Sequence, residues 1–432
     1  MPMGARPLGR EPVGRLLLSV LIFLVALAFI ATERGHRTVI ALVGATAVLL
    51  TQVIDQELAL HAIEWEALGL LAGMMVVVKL TETTGVYTYL AIKAAQAAKG
   101  RSFRLVLALG ASTAVLSAFL DNLTTILLLV PITFLLADAL DIDPIPLILI
   151  EVLACNIGGT ATLIGDPPNI MIAGATDLSF MDFIVNLAPI AYLTCALVIC
   201  GLYLFWRGRL QVKPEARERV MELDAEAAIE DPAELRRLLP VLLITILAFF
   251  VHKPLGFEPA TVALSGASVM LLLTRQSVED TLASIEWATL FFFVGLFVMV
   301  GALEHTGAVG KLAEGIVEVT GGDRTAELLG ITWTAALVGG VIDNIPLTAT
   351  MIPVVDQISA GTGDDAYWWA LALGACFGGN MTLIAAAPNV AAAAMASRNG
   401  RPIGFVQFLK VGVPVTFFSM FMVTGYLLLR YA

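Results

Sequence analysis

Apolar runs long enough to cross a bilayer recur from one end of the chain to the other. They fall near 16–31, 38–54 and 66–84, and a shorter amphipathic stretch follows near 87–99. Two apolar arms, 103–120 and 123–138, flank Asp121-Asn122. A run near 144–164 breaks at Gly165-Asp166-Pro167-Pro168-Asn169, and another covers about 183–206. The order then returns near 238–252, 258–274, 287–305, 325–342 with 345–360, 366–385 and 406–430. Runs of roughly 17–25 residues match a membrane helix and are too long and too weakly alternating for barrel strands. Only helices and closed barrels satisfy their backbone inside lipid. The pattern therefore predicts an all-α polytopic membrane protein.

Composition narrows this further. Of 432 residues, 58% are hydrophobic and 14% charged, against roughly a quarter charged in a soluble domain. The net charge of −11 gives no reason to expect a nucleic-acid partner. Cys155, Cys195, Cys200 and Cys376 all lie in apolar stretches, and His36, His61, His252 and His305 are scattered. No metal site, disulfide framework or cofactor is expected. No nucleophile motif points to an enzyme, and without a GxxxxGK[ST] loop, ATP hydrolysis would need a separate subunit. The arginines before the first apolar run resemble a signal peptide. An uncleaved first helix is expected instead, because a comparable run near 238–252 lies deep in the chain.

The chain is duplicated. Ile63-Glu64-Trp65 returns as Ile285-Glu286-Trp287, 222 residues later. Asp121-Asn122 and Pro131 return as Asp343-Asn344 and Pro353 at the same offset. ACNIGGTATLIGDPPNI then pairs with ACFGGNMTLIAAAPNV, with small deletions inside the motif. The expected division is a first repeat over 1–206, with a hairpin at about 103–138 and a broken helix at about 144–170. A linker spans 207–237. The second repeat, 238–432, carries its hairpin at about 325–360 and its broken helix at about 366–390.

If each pair of arms is a re-entrant hairpin, each half crosses about five times. An odd number turns the second copy over, giving two inverted repeats with broken helices at the midplane, an architecture of secondary transporters. This arrangement puts 32–37, 93–104, 207–237, 275 and 398–410 on one side, and they hold most of the 25 Lys and Arg residues. The positive-inside rule then makes 207–237 cytoplasmic, in a multi-pass protein of the plasma (inner) membrane. The N-terminus comes out external despite Arg6, Arg10 and Arg15; one extra crossing at 87–99 would reverse that end.

Asp121 and Asp343 lie between apolar arms at membrane depth, where a charge costs at least about 2.5 kcal/mol and faces a cavity. Asp-Asn also suits a turn, and Thr124, Thr125, Thr348 and Thr350 follow the two tips. The second motif comprises Asn156, Gly158, Gly159, Thr160, Thr162, Asp166 and Asn169. Its partner comprises Gly378, Gly379, Asn380, Thr382, Pro388 and Asn389, with Ala386 and Ala387 in place of Asp166 and Pro167. Paired glycines and prolines interrupt a helix, and unwound backbone at membrane depth lines a cavity or is buried. Lys79 and Glu82 are spaced to pair locally. Glu151 is read either as a cavity acid or as snorkelling to an interface.

At these residues the chain resembles the ion transporter superfamily, which includes divalent-anion/sodium symporters, arsenite-efflux permeases, sodium/proton antiporters and the melanosomal P protein. The symporters carry Ser-Asn-Thr at two hairpin tips and a GGTGTLIGTPPN-like run; here the tips read Asp121-Asn122 and Asp343-Asn344 and the run reads GGTATLIGDPPN. The resemblance covers nearly the whole chain. It implies a site between two hairpins and two broken helices, an elevator-like motion, and often a dimer. Aspartates at the tips would repel a dicarboxylate and suit a cation, a proton or neutral As(OH)₃. The expectation is arsenite or antimonite efflux driven by protons, with Asp121 and Asp343 titrating and Asp166 as an alternate. Asn122, Asn344, Thr160, Asn169, Asn380 and Asn389 would shape the solute site. A sodium/proton antiporter and a dicarboxylate symporter are the alternatives. The implied partners are a small inorganic solute or cation, protons, membrane lipid, a second copy of the chain, and an ATPase subunit if the gene lies in an arsenic operon.

Overall fold

The computed structural model describes residues 12–32, 35–99, 101–212 and 214–431, and among these every regular element is helical. The first half comprises α1 (Pro12–Ala31), α2 (Arg37–Leu50), α3 (Gln56–His61), α4 (Trp65–Glu82), α5 (Val86–Ala97), α6 (Ser102–Ser117), α7 (Asn122–Leu140), α8 (Pro144–Gly159), α9 (Pro167–Gly174) and α10 (Phe180–Trp206). After α11 (Pro214–Met221) and one 3-10 turn (Glu226–Ala228), the same ten helices follow in order. They are α12 (Pro232–Val251), α13 (Pro259–Leu273), α14 (Val278–Ala283), α15 (Trp287–His305), α16 (Ala308–Thr320), α17 (Arg324–Gly339), α18 (Asn344–Thr362), α19 (Ala366–Gly378), α20 (Ala387–Arg398) and α21 (Phe405–Tyr431).

Among the described residues, α1, α7, α10, α15 and α21 are each long and apolar enough to cross a membrane, and α2, α6, α8, α13 and α19 are shorter apolar helices. The same succession of helices in each half, with a hairpin and a broken helix in both, is that of two inverted repeats. α5 bends 64° away from α4. Its 12 residues extend only about 18 Å, short of the roughly 30 Å hydrocarbon core, so α5 is too short to cross by itself. Arg6 and Arg10, the basic end placed outside by the charge count, lie outside the described residues.

The copies interleave. α2 runs along α15 and α4 along α13. Close approach is possible there because Gly295 faces the Ala41 backbone and Gly73 the Ala263 backbone, the small-residue packing of membrane helices. Inside this ring, α6 packs on α8 and α17 on α19. α7 then packs against α20 of the other copy, and α18 against α9. Each tip helix thus rests on the opposite repeat's broken helix. α8 and α19 are buried along their whole length, as expected of helices apolar on every side.

Two boundaries differ from the sequence reading. The run near 144–164 ends at Gly159 and the one near 366–385 at Gly378, where the glycine pairs begin. Pro167-Pro168 do not break a helix; they open α9 at its first two positions, where a missing N–H costs nothing. In the linker, α12 already starts at Pro232, capped by the Asp231 carboxylate.

Candidate ion and solute site

The tips build the site. Asp121 caps α7, its carboxylate accepting from Thr124 N at 2.9 Å. Asp343 caps α18, accepting from Ile345 N at 2.9 Å. The next residue in each copy, Asn122 or Asn344, is the first of its helix and buried. Glycines make room for both amides: a Cβ on Gly159 would collide with Asn122 Oδ1, and one on Gly379 would press on Asn344 Nδ2. Gly158 and Gly378 have a different task. A side chain there would enter the backbone of Ala114 or Ala336 on the packed hairpin arm.

The breaks are held open by asparagine. Asn169 Nδ2 donates to the Thr160 and Thr162 carbonyls at 3.0 and 2.7 Å. Asn389 Nδ2 donates to the Gly379 and Thr382 carbonyls at 2.7 and 2.9 Å. The Thr160, Thr162 and Gly379 carbonyls have no backbone donor among the described residues, while that of Thr382 also accepts from Ala385 N at 3.3 Å; burying such a carbonyl unpaired would cost about 1–3 kcal/mol. Asn156 joins the copies, donating to Asn380 Oδ1 at 2.8 Å and to Asn389 Oδ1 at 2.9 Å. Asn380 returns a bond to the Leu153 carbonyl at 3.2 Å. Thr160 donates to the Asn156 carbonyl at 2.9 Å.

Between the tips lies a chamber of about 50 Å³. Its polar wall is Asp121, Asn122, Asp166 and Asn344 from the two hairpins and the first break, with Arg37, Glu286 and Thr289 from the surrounding ring. Asp166 is 2% exposed. It stands at the N-cap of α9 without capping it, and its Oδ2 has no hydrogen-bond partner among the described residues. Glu286 Oε2 accepts from Thr289 Oγ1 at 3.1 Å. A wider vestibule of about 490 Å³ adjoins the chamber and shares Arg37, Leu123 and Ala387 with it. Asp343 lines this vestibule rather than the chamber, 3.7 Å from Arg37 Nη1.

The structure therefore sorts the sequence candidates. Asp121, Asn122, Asp166 and Asn344 meet at one chamber, and Asp343 stands just outside it. Asn156, Thr160, Asn169, Asn380 and Asn389 brace the breaks instead of facing the chamber, and Thr382 contributes a clamped carbonyl. Thr124 and Thr125 sit on the first turn of α7, with Thr125 Oγ1 buried and unpartnered among the described residues. Thr348 and Thr350 make ordinary bonds to the Asn344 and Pro346 carbonyls. Glu151 does not snorkel: it is wholly buried and accepts from Thr133 at 2.6 Å. Lys79 and Glu82 pair at 3.1 Å.

The sequence alone does not mark Arg37, Glu286 or Thr289 as site residues. Glu286 belongs to the repeated Ile-Glu-Trp motif, so that repeat was the signal available for it. Arg37 carried no signal beyond being a basic residue in a turn.

An inverted-repeat bundle of this kind, with two broken helices and two carboxylate tips, one on a small chamber and the other on the vestibule beside it, is that of a secondary transporter. The chain belongs to the citrate transporter family (CitMHS), whose pattern matches residues 27–374. Its relatives include an uncharacterized transporter of Mycobacterium tuberculosis, 41% identical over 421 residues, covering 96% of this chain and 98% of that one. A 46 kDa membrane protein of Mycobacterium leprae is 39% identical over 422 residues, with 96% and 98% covered. The P protein of Homo sapiens is 32% identical over 494 residues, covering 94% of this chain and 58% of the P protein. Among solved structures, the YdaH transporter of Alcanivorax borkumensis shares the fold, with a TM-score of 0.58 at 16% identity and 95% and 97% of the two chains covered.

Proposed function

We propose that this transporter is a proton-coupled antiporter for a small uncharged or cationic solute, and that arsenite or antimonite efflux is the reaction it carries out. The chamber supports this reading most directly. It is walled by three carboxylates and one guanidinium, and about 50 Å³ gives room for about three or four water molecules. Neutral As(OH)₃ or a bare cation is of that size; a tricarboxylate is not. In this reading Asp121 and Asp343 exchange protons for the solute and Asp166 is the third acid. The hairpins and broken helices move as one unit against the ring of α1, α2, α4 and their counterparts. Residues 1–206 and 238–432 are the two repeats, and 207–237 faces the cytoplasm.

The family's description as a citrate transporter favours a second reading, citrate carriage. The anion would then have to enter with cations that offset the acidic wall. Proteoliposome flux separates the readings. Arsenite movement that follows an imposed pH gradient and needs no sodium supports the first. Sodium-dependent proton flux without arsenite movement, or citrate uptake alone, sinks it.

A further inference from the structure

The two tips are not equivalent, and the difference is Arg37. This residue opens α2, which packs along α15, and its guanidinium lies over the Phe292 ring of α15 at 5.3 Å. From there it reaches Asp343 on the hairpin tip at 3.7 Å. It stands in the wall of both the chamber and the vestibule, so it occupies the passage between them. Acids face this passage from every side: Asp121 from α7, Asp166 before α9, Glu286 before α15 and Asp343 before α18, with His36 beside the vestibule. The position matching Arg37 in the second copy is Pro259. Asp121 accordingly has no ion-pair partner among the described residues, whereas Asp343 has one.

We propose that Arg37 is a latch: held on the α2–α15 pair, it pins the α17–α18 tip through Asp343, and whatever neutralises Asp343 frees the tip. Neutralisation comes from a proton or from a cation that enters the vestibule. Arg37 would thus be a positioning residue that ties occupancy at one tip to release of the hairpin. This inference rests on the proposed movement of the hairpins against the ring but not on the identity of the solute. The stacking on Phe292 stabilises the guanidinium in place without neutralising it. The pair is only partly covered, with 30% of the Arg37 side chain exposed to the vestibule, so solutes reach it.

Hydrogen exchange tests the latch without any cargo. The amides of Asn344 and Ile345 are tied to the Ala385 carbonyl and the Asp343 carboxylate, at 3.2 and 2.9 Å. Exchange of the peptide covering 342–347 is compared between the wild-type transporter and Arg37→Gln in nanodiscs across pH, and the ratio cancels intrinsic amide chemistry. The expected ratio is about tenfold at neutral pH, falling towards one in acid, where Asp343 is neutral in both proteins. The peptide covering 118–124, at the other tip, should not change. In an Asp343→Asn background, Arg37→Gln should add nothing. Equal exchange at 342–347 at every pH overturns the latch, and so does a gain that persists undiminished in the Asp343→Asn background. If Arg37→Gln loosens α8 as well, Arg37→Lys decides. Lysine keeps the charge, so near-wild-type exchange at 342–347 supports the latch, and the same loosening as glutamine overturns it. Failure of arsenite flux would leave all of these outcomes unaffected.

Discussion

Asp121 and Asp343 occupy the same place in the two repeats, and each caps the helix that follows it. Their surroundings differ. Asp121 opens onto a small chamber with Asp166 and Glu286, whereas Asp343 stands in the vestibule against Arg37. The breaks differ in the same sense. The first contributes Asp166, and the second has Ala386 at the matching N-cap. Within the duplicated frame the two sides differ in charge: the first tip and break bring two carboxylates, Asp121 and Asp166, to the chamber, whereas the second tip brings Asn344 to it and holds its carboxylate, Asp343, on Arg37 in the vestibule. In such a frame the coupling ion and the solute need not share one carboxylate.

The sharpest way to break this comparison is to neutralise the first tip. Asp121→Asn should reduce coupled flux at least about a hundredfold while the protein stays folded, read as pH-gradient-driven uptake in proteoliposomes. Full flux would remove Asp121 from proton coupling. Asp166→Ala copies the second break into the first. It should lower flux by about tenfold and leave the melting temperature in detergent within a few degrees of wild type, because the carboxylate caps nothing. A large drop in stability with unchanged flux would make Asp166 structural.

The asparagine clamps should respond unequally. Asn169→Ala strands the Thr160 and Thr162 carbonyls and should cost about 1–3 kcal/mol for each. Asn389→Ala strands the Gly379 carbonyl, leaves that of Thr382 with only its Ala385 N donor, and removes an acceptor from the buried Asn156 amide that joins the copies, so it should lower thermal stability further. Equal losses would show that the bridge between the copies contributes little.

The smallest effect lies outside the membrane, where Arg324 binds Asp364 at 2.5 Å. Burial acts to raise this carboxyl, but the Arg324 guanidinium and the Ala366 amide outweigh it and hold Asp364 below the usual aspartate range. A lowered carboxylate contributes stability that is complete above its unfolded value and lost as pH falls through its folded one. Arg324→Ala should therefore cost under about 1 kcal/mol at neutral pH, and the difference in melting temperature should vanish in acid.

Much of this was legible in the residues because the informative features are local. A charged pair between apolar arms, a doubled glycine and an Asn after proline each signal themselves within a few positions, and their repetition gave the two-copy frame. The break limits were less legible, because a proline pair can end a helix or begin one, and only the hydrogen-bonding of Thr160 and Thr162 distinguishes these. Arg37 and Glu286 were least legible. Each sits in or beside a turn, where a charge is ordinary, and reaches the chamber only because α2 and α15 pack together across 250 residues of chain, as Thr38 and Ala288 do at 2.7 Å.

The crossed seating of α7 on α20 and α18 on α9 also bears on how the protein is made. The first tip leaves the ribosome with only its own repeat to rest on, since its seat on α20 is translated near the end of the second copy. Until then Asp121 and the opened backbone around Asn122 must wait in the insertion machinery or be shielded by water. A nascent chain halted after α10 would hold half of a frame and no chamber, and quality control in the membrane could recognise it by that unsheltered carboxylate.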